Sequence, residues 1–483
     1  MIKADWWKMT CGMFVLCAAT AIAAPAQTFN TLFYFNGPSG GEPDFMTLVQ
    51  GVDGGFYGTT LLGGNEKACS LGCGTVFRIN AEGVLNTLPL IPREGDYPYA
   101  GIMLATDGSF YGAAVYGGDN DNGAIFKIAR PGGLITLYSF CSLANCADGA
   151  NPEAPLVEAA DGGFYGTTTN GGANGDYGTV FKITAQGTLT TLYSFCAQIY
   201  CSDGEEPVGG LVQAWDGNFY GTTFSGGSDG AGTIFKITAQ GDFTSLYSFC
   251  VQPRCVDGSE PEAGLIQAID GDFYGTSLAG GVNDEGTVFK VTINGTLITL
   301  YSFCAQTNCA DGSSPAARLV QANDGNYYGT TAIGGANLLG TVFKISGSGH
   351  LTTLHSFDSS DGAQPSGGLL QATEGNFYGT TPLGGPFICD SDGCGTIFSL
   401  DVGLSPFVAF VSAAGEIGQT SGILGQGFTG TTSVSLNGIP ASFTVVSDSL
   451  IRATVPRGAT SGYVTVTTPS GTLTSNVPFH VIQ

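Results

Sequence analysis

Apolar residues in this chain come in short clusters, broken by Gly and Asp-Gly, and the clusters recur in a fixed order. Residues 209 to 249 show one unit. Gly-Gly-Leu-Val-Gln-Ala leads to a turn at Trp215-Asp216-Gly217-Asn218 and then to Phe219-Tyr220-Gly221-Thr222-Thr223. A Gly-rich stretch, Thr233-Ile234-Phe235-Lys236-Ile237, a turn at Thr238-Ala239-Gln240-Gly241 and Phe243 to Phe249 complete it. The clusters are rich in β-branched and aromatic residues and none has a 3.6-residue period, so each unit predicts four strands and no helix. The tyrosine of Phe/Tyr-Tyr-Gly recurs at Tyr57, Tyr111, Tyr165, Tyr220, Tyr274, Tyr328 and Tyr378, at spacings of 54, 54, 55, 54, 54 and 50. Seven units of four strands predict a seven-bladed β-propeller over residues 27–402.

The phase of the pattern predicts how the ring closes. A lone fourth-strand motif, Leu32-Phe33-Tyr34-Phe35, precedes the first full unit, and the last unit stops at a third strand, Gly395-Thr396-Ile397-Phe398. The first strand should complete the last blade, which leaves no free sheet edge. Residues 403–483 lack the repeat. Short alternating strands around Gly422–Phe428, Val434–Gly438 and Gly462–Val466 predict an immunoglobulin-like β-sandwich. Gly425-x-Gly427-x-x-Gly430 matches a dinucleotide fingerprint, but no βαβ context surrounds it, so these are turn glycines.

The ordered motifs GLVQAxDGNFYGTT, GTVFKIT and LTTLYSF make the chain resemble the GloVer tandem-repeat family of exported bacterial proteins, called choice-of-anchor for their differing surface-sorting segments. Residues 403–483 resemble an IPT/TIG domain. The resemblance implies export and repeat architecture, with no catalytic residue to carry over. No sorting motif is recognised in His480-Val481-Ile482-Gln483.

Composition then narrows the setting. Net charge is −24, from 39 acids against 15 bases, which disfavours nucleic acid and anionic membrane surfaces. Lys3 and Lys8 precede the apolar run Met13–Ala24 and a small-residue end at Ala26, so residues 1–26 predict a signal peptide. Cys11 and Cys17 fall inside it. The other twelve cysteines form close pairs: Cys69/Cys73, Cys141/Cys146, Cys196/Cys201, Cys250/Cys255, Cys304/Cys309 and Cys389/Cys394. An even count in an exported chain predicts local disulfides. The expected location is secreted or cell-surface, with no membrane insertion after signal cleavage and a monomeric state.

All six pairs fall on one face, in blade-to-blade loops or in loops between second and third strands, and stiffened variable loops on a rigid scaffold suit binding. Residues there without repeated counterparts are Tyr97, Tyr99, Tyr116, Tyr177, Tyr200, Arg254 and Phe387. Tyrosine beside Asp and Asn suits a sugar ring, which stacks on one face and hydrogen-bonds at its edge. The leading expectation is a non-catalytic exported binding protein for glycan or another extracellular ligand. The alternative is a structural or adhesive surface protein with a protein partner, and the third is a carbohydrate-active enzyme, which would need a singular pair of buried acids in a pocket. No cofactor is expected. Asp119 and Asp121, with Asp390 and Asp392, are weak calcium candidates in Gly-rich turns. Asp53, Asp107, Asp161, Asp216, Asp270 and Asp324, with Glu374, read as turn formers. One first-strand position reads Gln50, Leu104, Glu158, Gln213, Gln267, Gln321 and Gln371; this ring either lines a channel or bonds between blades, the second being preferred.

Overall fold

The computed structural model describes residues 27–64, 72–89, 96–99, 101–129, 133–389 and 393–482. The predicted signal segment, Cys69, Asp390 and Asp392 lie outside them. Seven four-stranded antiparallel sheets follow one another, with first strands at Val49–Gln50, Ile102–Leu104, Val157–Glu158, Val212–Gln213, Ile266–Gln267, Val320–Gln321 and Leu370–Gln371. We number them blades 1 to 7 in that order. Blade 7 takes its fourth strand from Thr28–Tyr34, which pairs with Thr396–Asp401 in a register that sets Phe33 opposite Ile397. The sequence phase predicted this closure, although the closing strand begins four residues before Leu32.

The Phe-Tyr-Gly signature is the joint between blades. Each of its tyrosines packs on the aromatic ring of the next blade: Tyr57 on Phe110, Tyr111 on Phe164, Tyr165 on Phe219, Tyr220 on Phe273, Tyr274 on Tyr327 and Tyr328 on Phe377. Tyr378 against Phe56, at 4.1 Å, closes the circle. Such pairs contribute about 0.5–1.5 kcal/mol each beyond their area. The glycine is required because a Cβ on Gly221 would stand 2.6 Å from Phe235 of the neighbouring strand.

The repeated aspartates do form turns: Asp216 Oδ1 accepts the Asn218 N–H, and its counterparts do the same. They also do what the sequence pattern did not suggest. Asp216 Oδ2 accepts the Tyr220 hydroxyl and pairs with Lys236 at 2.9 Å, an arrangement repeated in blades 1 to 6. Blade 7 has Ser399 where the others have Lys or Arg, and Gln426 of the C-terminal domain donates to Glu374 instead.

The first-strand ring bonds between blades, as preferred, and Leu104, Glu158, Gln213, Gln267 and Gln321 of it also line the central channel. Gln213, Gln267, Gln321, Gln371 and Gln50 each accept a backbone N–H from the preceding blade, and Glu158 accepts both the N–H and the hydroxyl of Thr106. Leu104 breaks the ring. It packs in a cluster with Leu424, Leu450 and Val411 of the C-terminal domain. That domain is a sandwich of two four-stranded sheets, with a short parallel pair between Ala414–Glu416 and His480–Ile482. It sits against the first turn of several blades: Ser449 donates to Val52 O, Phe407 N to Thr373 O, Asn323 to Ser405 O, and Trp215 stacks on His480. Among the described residues, no helix is long and apolar enough to cross a membrane.

Candidate functional site

Five of the six predicted disulfides are present: Cys141–Cys146, Cys196–Cys201, Cys250–Cys255, Cys304–Cys309 and Cys389–Cys394. Cys73 is disulfide-bonded as well, with its predicted partner outside the described residues. The pairs share the face opposite the C-terminal domain. Each blade-to-blade cystine loop wraps a buried aspartate that the sequence reading passed over. Asp203, wholly buried, accepts the Tyr193 hydroxyl at 2.7 Å and the N–H groups of Ala197 and Gln198. Asp148, Asp257 and Asp311 repeat this, and in blade 6 His355 replaces the tyrosine opposite Asp361. The four cystine loops are thus pinned by a covalent bond and a buried carboxylate together, and the blade 6 loop, which has no cysteine, by its carboxylate.

Beyond each loop the chain turns inward through a proline. The residue before it is left-handed in all seven units: Glu42, Tyr97, Asn151, Glu206, Glu260, Ser314 and Gln364, with φ between 52° and 57°. Non-glycine residues rarely adopt this backbone, least of all before proline. Two main-chain bonds hold it. Glu206 N donates to Tyr177 O of the preceding blade, and Glu206 O accepts from Phe224 N of its own. The residue after the proline lines the mouth of the central channel in blades 2 to 7, and in blade 1 it is hydrogen-bonded to Ser366 beside it. The ring so formed reads Asp44, Tyr99, Glu153, Val208, Glu262, Ala316 and Ser366. It varies among the blades of an otherwise regular repeat.

The channel is a cavity of ≈ 1050 Å³. The first strands of the blades form its wall, and Val411, Ala413, Pro478, His480 and Ile482 of the C-terminal domain line its far end. At the open mouth, burial pushes the Asp44 carboxyl up to about 6, against hydrogen bonds from Ser366 and the Phe45 N–H. Burial, with the charges of Asp44, Glu153 and Glu260, pushes Glu262 up to about 7. Burial likewise raises Glu153. Tyr99 stacks on Phe45 at 4.7 Å beside them, and burial raises its phenol. Three carboxyls and an aromatic step thus converge where sequence alone shows only scattered acids. Asp44, Glu153 and Glu262 were not among the predicted site residues; the variable position after a recurrent proline was the available signal.

The predicted residues divide. Tyr99 belongs to the mouth. Tyr97 and Tyr116 meet edge to face at 5.8 Å in the adjoining loop, where Tyr116 is about half exposed. Tyr177 is half-buried between blades. Tyr200 and Arg254 occupy left-handed positions at the tips of cystine loops, Tyr200 being 93% exposed. Phe387 is exposed in the blade 7 loop. Asp119 and Asp121 are exposed, and Asp121 accepts the Gly117 N–H within its own loop. Among the described residues, the one close group of possible metal donors is Cys196, Cys201 and Glu205, whose cysteines are joined as a disulfide and offer no thiolate.

Comparison with known proteins places the repeats and the last domain. The Gloeobacter/Verrucomicrobia repeat profile matches residues 20–146, 71–268 and 252–438, and the IPT/TIG domain matches 406–481. No curated protein matches the chain significantly. Among solved structures, it is similar to the extracellular domain of a protein described as a hybrid two-component system of B. thetaiotaomicron, at 11% identity and a TM-score of 0.49, covering 94% of this chain and 57% of that one. It is also similar to a gluconolactonase of Xanthomonas campestris at 11% identity and a TM-score of 0.39, covering 79% and 92%. A third is a protein described as a 6-phosphogluconolactonase of Bacteroides uniformis, at 16% identity and a TM-score of 0.44, covering 67% and 88%.

Proposed function

The chain belongs to the Gloeobacter/Verrucomicrobia repeat family, and from that premise we propose that it is an exported, non-catalytic binding protein whose ligand, a glycan, enters the propeller channel from the cystine-bearing face. One observation carries this reading: the ring after the mouth prolines brings Asp44, Glu153, Glu262 and Tyr99 together at positions where the repeat varies. A scaffold that repeats its joints seven times and varies its mouth has the form of a binding site on a rigid frame. Carboxyls at the mouth accept hydrogen bonds from hydroxyl groups, and the Tyr99–Phe45 step offers an apolar face. The disulfides fit an oxidising, extracellular setting.

A second reading has a specific observation behind it. A carboxyl held near 7, as in Glu262, suits a general acid, and two acids in one pocket are what glycoside cleavage needs. The test is binding of the full chain, disulfides intact, to a polysaccharide and glycan array, with calcium and with chelator, while released reducing ends are measured. Saturable binding without release supports the proposal. Release that disappears in Glu262→Gln would replace it with the enzymatic reading. No binding in either condition refutes glycan recognition and turns attention to a protein partner for the exposed loop tips Ile199, Val251 and Ile388.

A further inference from the structure

One residue of the channel wall departs from its column. Two positions beyond the mouth ring, blades 2 to 7 carry Gly101, Pro155, Gly210, Gly264, Arg318 and Gly368. Four of these are glycine, and at Gly264 the blades nearly touch: a Cβ there would stand 2.6 Å from Gly210 O. Arg318 alone fills the space, and its side chain lines the channel. The side chain is exposed, and the surface it presents lines the channel, where neighbouring protein holds its pKa below the ordinary arginine value. Nε donates to Leu265 O at 3.1 Å, which fixes the plane of the guanidinium. Among the described residues, no carboxylate lies within salt-bridge distance, and the two terminal nitrogens have no protein partner. The cations of the third strands differ: Arg78, Lys127, Lys182, Lys236, Lys290 and Lys344 are each paired with an aspartate.

The channel-facing guanidinium is met by water and, among the described residues, by no counter-ion, so its charge is available to a ligand that enters there. Its free fork matches the two oxygens of a carboxylate. We infer that Arg318 is an anchor for the carboxylate of a sugar acid, whose hydroxyls reach the acceptors of the mouth ring. The inference rests on the channel-binding reading above and adds the ligand's charge to it. The mouth carboxyls add selectivity. Asp44, Glu153 and Glu262 oppose the entry of a multiply charged anion, whereas a monoanion with several hydroxyls gains hydrogen bonds from them.

The test is calorimetric titration of the full chain, disulfides intact, at pH 7 with galacturonate, galactose and inorganic phosphate, repeated on Arg318→Gly. Glycine is what four other blades carry in this column, so the variant is expected to keep the wild-type melting transition. The expected result is saturable galacturonate binding, about tenfold or more tighter than galactose or phosphate, and lost by about the same factor in the variant. Equal affinity for galacturonate and galactose, unchanged by the substitution, would overturn the charge assignment and leave the channel reading standing. Phosphate binding as well as galacturonate would reduce Arg318 to a general anion site and overturn the sugar-acid class. No heat from any of the three would overturn the inference, with the array then deciding the broader reading.

Discussion

The mouth ring can be tested without knowing its ligand, because crowded carboxyls leave a signature in the pH dependence of stability. Glu262 has a pKa of about 7 in the native channel and 4.5 when free. For a carboxyl raised by folding, the native state binds the proton more tightly, so stability is full below about 4.5 and falls as the pH climbs to about 7. At 1.36 kcal/mol per pKa unit the ceiling is about 3 kcal/mol, and channel water screens this to about 1–2 kcal/mol. Glu262→Gln keeps the shape and removes the charge. It also relieves Asp44, whose pKa stands near 6. The variant should match wild type at pH 4 and melt higher at pH 8 by roughly 1–3 °C for a domain of this size. Differential scanning calorimetry at pH 4, 6 and 8 reads the effect. A melting difference that is the same at all three pH values, or a variant less stable than wild type at pH 8, would refute the convergence of these acids.

Two further substitutions test the supports of that site. Leu104→Gln places an amide among Leu424, Leu450 and Val411, at a cost of about 1–3 kcal/mol; the C-terminal domain should then be cut from the propeller faster in limited proteolysis, and unchanged resistance would count against docking at this point. Asp203→Asn keeps the volume but weakens three bonds to a buried carboxylate. It should lower stability by about 2–3 kcal/mol, seen as a lower melting temperature, whereas a neutral result would show that the Cys196–Cys201 bridge alone orders the loop.

The fold was legible because its joints repeat. Tyr220, Gly221 and Phe235 do the same work in every blade, so physical necessity appears seven times in the sequence as identity. Even the closure of blade 7 followed from phase, since a strand motif without its unit at one end matched a unit without its strand at the other. Extents were less legible. The Gly-Gly-Leu-Val-Gln-Ala segment forms a ladder only at Val212–Gln213, because its glycines are spent on close approach at the axis.

The mouth was illegible for the opposite reason. Its residues are the ones the repeat does not repeat, and Asp44 lies 218 positions from Glu262 in sequence while sharing its field. A search for singular residues found Tyr99 there, but also Tyr200 and Arg254, which differ equally from their counterparts and stand at separate loop tips. Difference from the repeat selects a residue; only closure of the ring says which differences converge. Leu104 makes the same point from the other end of the channel. In sequence it is an exception in a row of Gln and Glu, apparently a lost hydrogen bond. In the structure it is an apolar seat for Leu424 and Leu450, more than 300 positions away. By seating the C-terminal domain it brings Val411, Ala413 and His480 to the lining of the channel. The substitutions that break the pattern at the two ends therefore belong together: Leu104 helps to seat the domain that lines one end, and Asp44, Glu153, Glu262 and Arg318 equip the end that remains.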